Sequence, residues 1–194
     1  MSDINHLYDI ISESNLTLIG YSSKQERDKD TFISKLNYVQ IDDIDASFSL
    51  HSHIRNLRLD NILNDNNKPS PIPGQYIVFD LNNIKYSIMS GNSGTFEMPK
   101  FIRRLTEDIR AASTLLKFKP ILVCSMYQTL NTDGDSNGLN FIGGSSPVYA
   151  SDLVLRFSDD GISVIKNRYS SNFTIPYGEL KNILYIWPYV KNSK

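Results

Sequence analysis

Two short apolar runs, Tyr76-Ile-Val-Phe-Asp80 and Ile121-Leu-Val-Cys-Ser-Met126, bracket a stretch with helical periodicity, and that arrangement leaves few folds open. Each run is continuous rather than alternating, which is how a strand buried on both faces reads. Between them, Pro99 suits the first turn of a helix. Phe101, Ile102, Leu105, Ile109, Ala112, Leu115 and Leu116 then recur on one stripe, with Arg103, Arg104, Glu107, Asp108 and Arg110 largely outside it. Pro120 is expected to end that helix. Strand, amphipathic helix, strand implies an α/β domain with an open sheet.

The rest of the chain extends this pattern. Leu16-Thr-Leu-Ile-Gly20 is a short strand-like run ending in glycine, followed by a charged loop from Tyr21 to Asp30 and a candidate helix start at Thr31-Phe-Ile-Ser-Lys-Leu36. Tyr38-Val-Gln-Ile41 reads as a strand and precedes the acidic cluster Asp42, Asp43 and Asp45. Residues 46–63 carry apolar side chains at roughly helical spacing, and the Pro-rich stretch 64–74 reads as a surface connector. Residues 89–98 and 131–140 read as flexible Gly/Asn/Asp loops. Three short strands, 152–157, 162–165 and 173–175, are separated by turns and predict antiparallel hairpins at the sheet edge, and Ile183–Trp187 is a last strand or docking segment.

Bulk properties exclude several classes. A hydrophobic share of 40% and a charged share of 21% describe a globular chain, and a net charge of −1 gives no global basic field to hold nucleic acid. No apolar run reaches the ~20 residues of a membrane span and the N-terminus lacks a signal-peptide pattern, so a cytoplasmic protein without membrane partners is expected. The single cysteine, Cys124, lies in an apolar run and reads as a small buried hydrophobe. His6, His51 and His53 have no ligand-like spacing for a metal.

From residue 74 to about 180, four features in order resemble the second half of the RecA-type core shared by RecA, phage strand-exchange recombinases and replicative ring helicases. Tyr76–Asp80 is similar to the strand ending in the magnesium-associated aspartate. Ile121-Leu-Val-Cys-Ser-Met-Tyr-Gln128 is similar to the strand ending in a nucleotide-sensing glutamine. Ile142-Gly-Gly-Ser-Ser-Pro-Val-Tyr-Ala-Ser151 followed by Asp152-Leu-Val-Leu resembles the segment after the second DNA-binding loop. Ile162-Ser-Val-Ile-Lys-Asn-Arg168 resembles the strand bearing Lys-Asn-Lys or Lys-Asn-Arg.

The resemblance implies a single RecA-like core over residues 1–194: a degenerate nucleotide-binding half (1–63), a connector (64–75), a sensor and oligomerisation half (76–180) and a tail segment (181–194). Its sheet is open and mostly parallel, flanked by helices, with antiparallel hairpins at the C-terminal edge. In it Asp80 would hold Mg²⁺, Gln128 would sense nucleotide, and Lys166 and Arg168, on one face of a strand, would reach a neighbour's phosphates in trans. Each has a plainer reading: a turn-capping aspartate, a strand-capping glutamine, and a solvated pair of edge-strand cations. Nucleic acid would meet Phe96, Lys100, Arg103, Arg104, Asn140, Phe141, Gly143 and Gly144, with Phe96 or Phe141 available to stack; a surface without a ligand is the alternative.

The phosphate loop departs from the family. After Gly20 stands Tyr-Ser-Ser-Lys-Gln-Glu-Arg-Asp-Lys-Asp-Thr31, in which Lys29 and Thr31 are a distorted echo of the expected Lys-Ser/Thr pair. Glu26, Asp28 and Asp30 oppose a phosphate, each costing about 4 kcal/mol at ~4 Å and an effective dielectric of ~20. A catalytic glutamate beyond the second strand is not marked, Asp42 and Asp43 being no more than candidates, and the interval from Thr31 to Asp80 is short for the family. The expectation is therefore a trimmed RecA-like protein of DNA recombination or replication, without ATPase activity of its own. It would assemble with itself or with an active RecA-like or helicase partner on single-stranded DNA. The alternatives are an active ATP- and Mg²⁺-dependent recombinase or helicase motor with an unusual phosphate loop, and a structural assembly protein that reuses the fold. The Asn-, Ile-, Asp-, Ser- and Lys-rich composition points to an AT-rich genome, and a bacteriophage source fits a trimmed protein.

Overall fold

The computed structural model describes residues 3–41, 74–91, 98–128, 139–142, 144–168 and 171–176. The acidic cluster at 42–45, the helical spacing of 46–63, most of the connector, Phe96, Gly143, most of the loop at 131–140 and the segment 183–187 lie outside these residues.

The strands are β1 (Thr17–Tyr21), β2 (Tyr38–Ile41), β3 (Tyr76–Asp80), β4 (Lys119–Gln128), β5 (Leu139–Phe141), β6 (Leu153–Ser158), β7 (Gly161–Asn167) and β8 (Thr174–Pro176). They form one sheet in the order β2-β3-β4-β1-β6-β7-β8, with β5 paired to the far end of β4. The pairs β2–β3, β3–β4, β4–β1 and β1–β6 are parallel, whereas β4–β5, β6–β7 and β7–β8 are antiparallel. A mixed α/β fold with a mostly parallel sheet and an antiparallel edge is thus present, with β3 and β4 reading in sequence as the buried strands they are.

Helices α1 (Asp3–Glu13) and α2 (Glu26–Ile33) cover one face, and α3 (Leu81–Gly91), α4 (Met98–Leu116) and the short α5 (Ser146–Ala150) cover the other. Alternation along β1 divides the core. Leu16 and Leu18 join Phe79, Leu122 and Val154 beneath Ile84, Phe101, Ile102, Leu105 and Ile109, while Ile19 joins Val123, Leu155 and Phe157 beneath Leu7, Ile11 and Phe32.

Several boundaries differ from the sequence expectation. The second helix begins at Glu26, not Thr31, because its inward side is Gln25, Lys29, Phe32 and Ile33, half of it polar. Residues 81–91 are helical, α3 following β3 without a linker, so residues 89–91 of the loop expected at 89–98 belong to that helix. Pro120 lies within β4; α4 stops at Leu116, where Lys117 takes φ 61° and breaks the helical path.

Gly20 sits inside β1, where a Cβ would collide with Phe141 Cε1 and lie 2.7 Å from Met126 Sδ. The glycine is there to let β4 and β5 close over β1. At the amino end of the sheet, Asp152 is buried to 1% side-chain exposure, with Arg168 Nη1 at 2.9 Å and Arg110 Nη2 at 3.8 Å from its Oδ1. Its Oδ2 accepts hydrogen bonds from the Asn15 backbone N–H at 3.3 Å and from Asn15 Nδ2 at 3.1 Å.

Two outcomes follow. Gly20→Ala is expected to destabilise the protein by about 1–3 kcal/mol through overpacking, with Phe141→Leu in the same chain recovering part of the loss in urea unfolding. Asp152→Asn is expected to cost about 1.5–3 kcal/mol, the worth of hydrogen bonds to a charged group, read from the same transition.

Candidate functional site

In an open α/β sheet, ligands bind beyond the carboxyl ends of strands where adjacent connections leave in opposite directions. β1 leads through α2 on one face to β2, and β4 leads through α5 on the other face to β6. The crevice between the ends of β1 and β4 is therefore the candidate site.

Asn82 organises it. Its Nδ2 donates to the Tyr21 phenol oxygen at 2.9 Å, and its Oδ1 accepts from the Ser125 backbone N–H at 3.1 Å and from Ser125 Oγ at 2.9 Å. One amide side chain thus ties β1, β4 and the start of α3. Asp80 Oδ1 accepts from the backbone N–H groups of Asn82, at 2.9 Å, and Asn83, at 3.2 Å. The carboxylate caps α3, whose first N–H groups lack partners within the helix and whose dipole favours negative charge there. Burial pushes the Tyr21 phenol up to about 12; the nearby charges of Asp80 and Glu26 add to the rise, and the hydrogen bond from Asn82 opposes it.

The segment after β1 is closed by its own side chains. Ser22 Oγ donates to Gln25 Oε1, and the buried Gln25 donates through Nε2 to Asp159 Oδ1 at 2.6 Å, fastening this turn to the β6–β7 turn. Lys29 is also buried, its Nζ 4.5 Å from the centroid of the Tyr21 ring and 2.6 Å from Asp30 Oδ1. Thr31 Oγ1 donates back to the Arg27 carbonyl at 2.8 Å within α2. Gly20, Lys29 and Thr31 are therefore packing, ion-pair and helix residues here rather than a phosphate cradle, and Glu26 and Asp28 stand in the first turn of α2. Among the described residues, no group of three His, Cys, Asp or Glu side chains could hold a metal. The residues present do not fit a Mg²⁺-nucleotide.

The other sequence candidates scatter. β3 and β4 are neighbours, but Asp80 lies level with Val123, and Gln128 is five residues further along β4, about 16 Å beyond at ~3.3 Å per residue. Lys166 and Arg168 lie at the opposite end of the sheet, because β7 runs antiparallel to β6 and Asn167 pairs with Leu153. Lys166 Nζ donates to the carbonyls of Val148 and Tyr149 at 2.9 Å each and of Ser151 at 2.6 Å, capping the end of α5. Burial and the charge of Arg168 lower its pKa. Lys166 and Arg168 do share a side of the strand, as their spacing implies, yet both are engaged within this chain.

Of the candidates for nucleic acid, Lys100, Arg103 and Arg104 are exposed on α4, with Arg103 Nε 3.0 Å from Glu107. Asn140 faces Tyr127 across the β4–β5 pair, and Gly144 takes φ 72° in the turn before α5. Phe141 is a correction: it is buried over Gly20 and cannot stack on a base. The residues the sequence reading passed over are Tyr21, Asn82 and Ser125. Their signal was slight, a polar serine within an apolar strand and an asparagine two residues after the strand-ending aspartate.

Because the folded Tyr21 phenol keeps its proton to about 12 whereas the unfolded one releases it near 10, stability is full below pH 10 and falls as pH rises toward 12. Tyr21→Phe is expected to make that fall shallower in denaturant titrations at pH 9, 10, 11 and 12. An unchanged slope would show that the phenol is not held as described. No protein-family model matches the chain and no curated protein matches it, so any functional reading rests on this geometry.

Proposed function

We propose that this chain is a RecA-like protein of DNA recombination or replication that does not turn over ATP itself and works in the cytoplasm by assembling on DNA. It assembles with itself or with an active RecA-type partner. The observation that carries the reading is the closed turn after β1. A strand bearing the Asp80 carboxylate, the next strand β4 and then β1 lie side by side, and where β1 would deliver a phosphate loop stand Gln25 bound to Asp159 and Lys29 packed on Tyr21. The neighbourhood suits a nucleotide-handling sheet, while the position that would grip triphosphate is filled by the chain's own side chains.

The reading does not use Lys166 and Arg168 as fingers reaching a neighbour, since they hold α5 and Asp152. It uses the sheet as a scaffold for assembly. Among the described residues no helix is long and apolar enough to cross a membrane.

Size-exclusion chromatography with light scattering, with and without single-stranded DNA and ATP, tests it alongside a phosphate-release assay. The expected result is an oligomer that changes size with DNA and releases no phosphate above the buffer rate. Asp80→Ala is expected to lower stability by about 0.5–2 kcal/mol, as a lost helix cap does, and to leave assembly intact. Turnover that Asp80→Ala abolishes would establish a motor instead, and a defined oligomer indifferent to DNA would establish a purely structural assembly.

A further inference from the structure

Arg156 lacks what the other described arginines have. Arg27, Arg103, Arg104, Arg110 and Arg168 all have partners, whereas the Nε of Arg156 is buried without one. A guanidinium N–H withdrawn from water with nothing to bond is a standing cost unless something supplies an acceptor.

Its place in the sheet says what could. Leu153, Leu155 and Phe157 point into the core under α1 and α2, so Arg156 stands on the opposite face of β6. There it is level with Gly20 of β1 on one side and Ser163 of β7 on the other, and Ser163 is level with Thr174 of β8. α5 is fastened at the amino end of this region through Lys166, while Arg156 and Ser163 remain partly open and Thr174 exposed. Thr174 Oγ1 donates to Ser163 Oγ at 3.2 Å, which leaves the Ser163 hydroxyl hydrogen to donate elsewhere. One cation and two hydroxyls thus run in a row across three strands, close to the carboxyl end of β1.

We propose that Arg156, with Ser163 and Thr174 beside it, seats one phosphodiester of single-stranded DNA. The proposal deepens the assembly reading above and rests on it. A guanidinium fork matches two phosphate oxygens, and the hydroxyl row supplies further donors to the same group. One seat per protomer suits a polymer with a phosphate at each step and a protein of net charge −1 that must use many lined-up copies.

The test is fluorescence anisotropy of a labelled oligothymidylate with the full chain over a salt series, using wild type, Arg156→Gln, Arg156→Lys and Ser163→Ala. Arg156→Gln is expected to weaken binding and to lower the slope of log K against log salt by about one per bound protomer, with no sequence dependence. Arg156→Lys keeps the slope, and Ser163→Ala weakens binding while keeping the slope. The unfolding midpoint of Arg156→Gln is expected to stay close to that of wild type, because the Nε it replaces makes no hydrogen bond within the protein. Should that variant fail to fold, the arginine is structural and the proposal falls.

Unchanged affinity and slope in Arg156→Gln, while wild type still assembles on DNA, would overturn the seat and leave the assembly reading standing. Wild type that neither assembles nor binds the oligonucleotide would overturn both. Binding of inorganic phosphate alone, or an oligoglutamate bound through Arg156 in place of DNA, would also overturn the assignment.

Discussion

A buried carboxylate holds the amino end of this sheet together. Asp152 draws the start of β1 through Asn15, the end of β7 through Arg168 and α4 through Arg110 toward one point. A charge out of water is costly unless paired and hydrogen-bonded, so the chain must bring these elements in at their observed positions or expose the group. The backbone agrees with the side chain: the Asp152 N–H donates to the Leu16 carbonyl at 2.9 Å, and the Arg168 N–H donates to the Asp152 carbonyl at 3.2 Å. Lys166 extends the arrangement by capping α5, so that the two cations a strand places side by side both serve the same corner.

The carboxyl end is built differently, with several separate contacts spread over many residues instead of one central charge. Asn82 bridges Tyr21 and Ser125, Asp80 caps α3, and Gln25 and Lys29 fill the turn after β1. Each of these side chains already has a partner inside the chain. A triphosphate entering this crevice would have to break those contacts and face Glu26 and Asp28 besides. The same residues that make the crevice rigid therefore make it a poor receptor for nucleotide, and Arg156 on the neighbouring strand is where a donor is left over.

Much of the fold was legible because its signals are local or periodic. The stripe from Phe101 to Leu116 found α4, continuous apolar runs found β3 and β4, and turn residues found the β6–β7–β8 meander. α2 was misplaced because its buried side includes Gln25 and Lys29, which carry no hydrophobic period. α1 went unseen because three apolar contacts, Leu7, Ile10 and Ile11, make only a short stripe. Phe141 was taken for an exposed stacking residue because a Gly-rich surrounding reads as loop, whereas the glycine that matters, Gly20, is far away in sequence and receives its ring.

What the residues determined by themselves is the α/β class, the strand-helix-strand unit, the antiparallel edge and the absence of a standard phosphate loop, since each follows from periodicity or from residue types at short spacing. Only the tertiary structure decided strand order, which end of the sheet each polar residue reaches, and which of them are already satisfied. It put Lys166 and Arg168 at the end away from Asp80, set Gln128 beyond Asp80's level, and gathered Tyr21, Asn82 and Ser125. Those outcomes depend on pairings between residues dozens of positions apart, and neither the propensity nor the spacing of any one segment contains them.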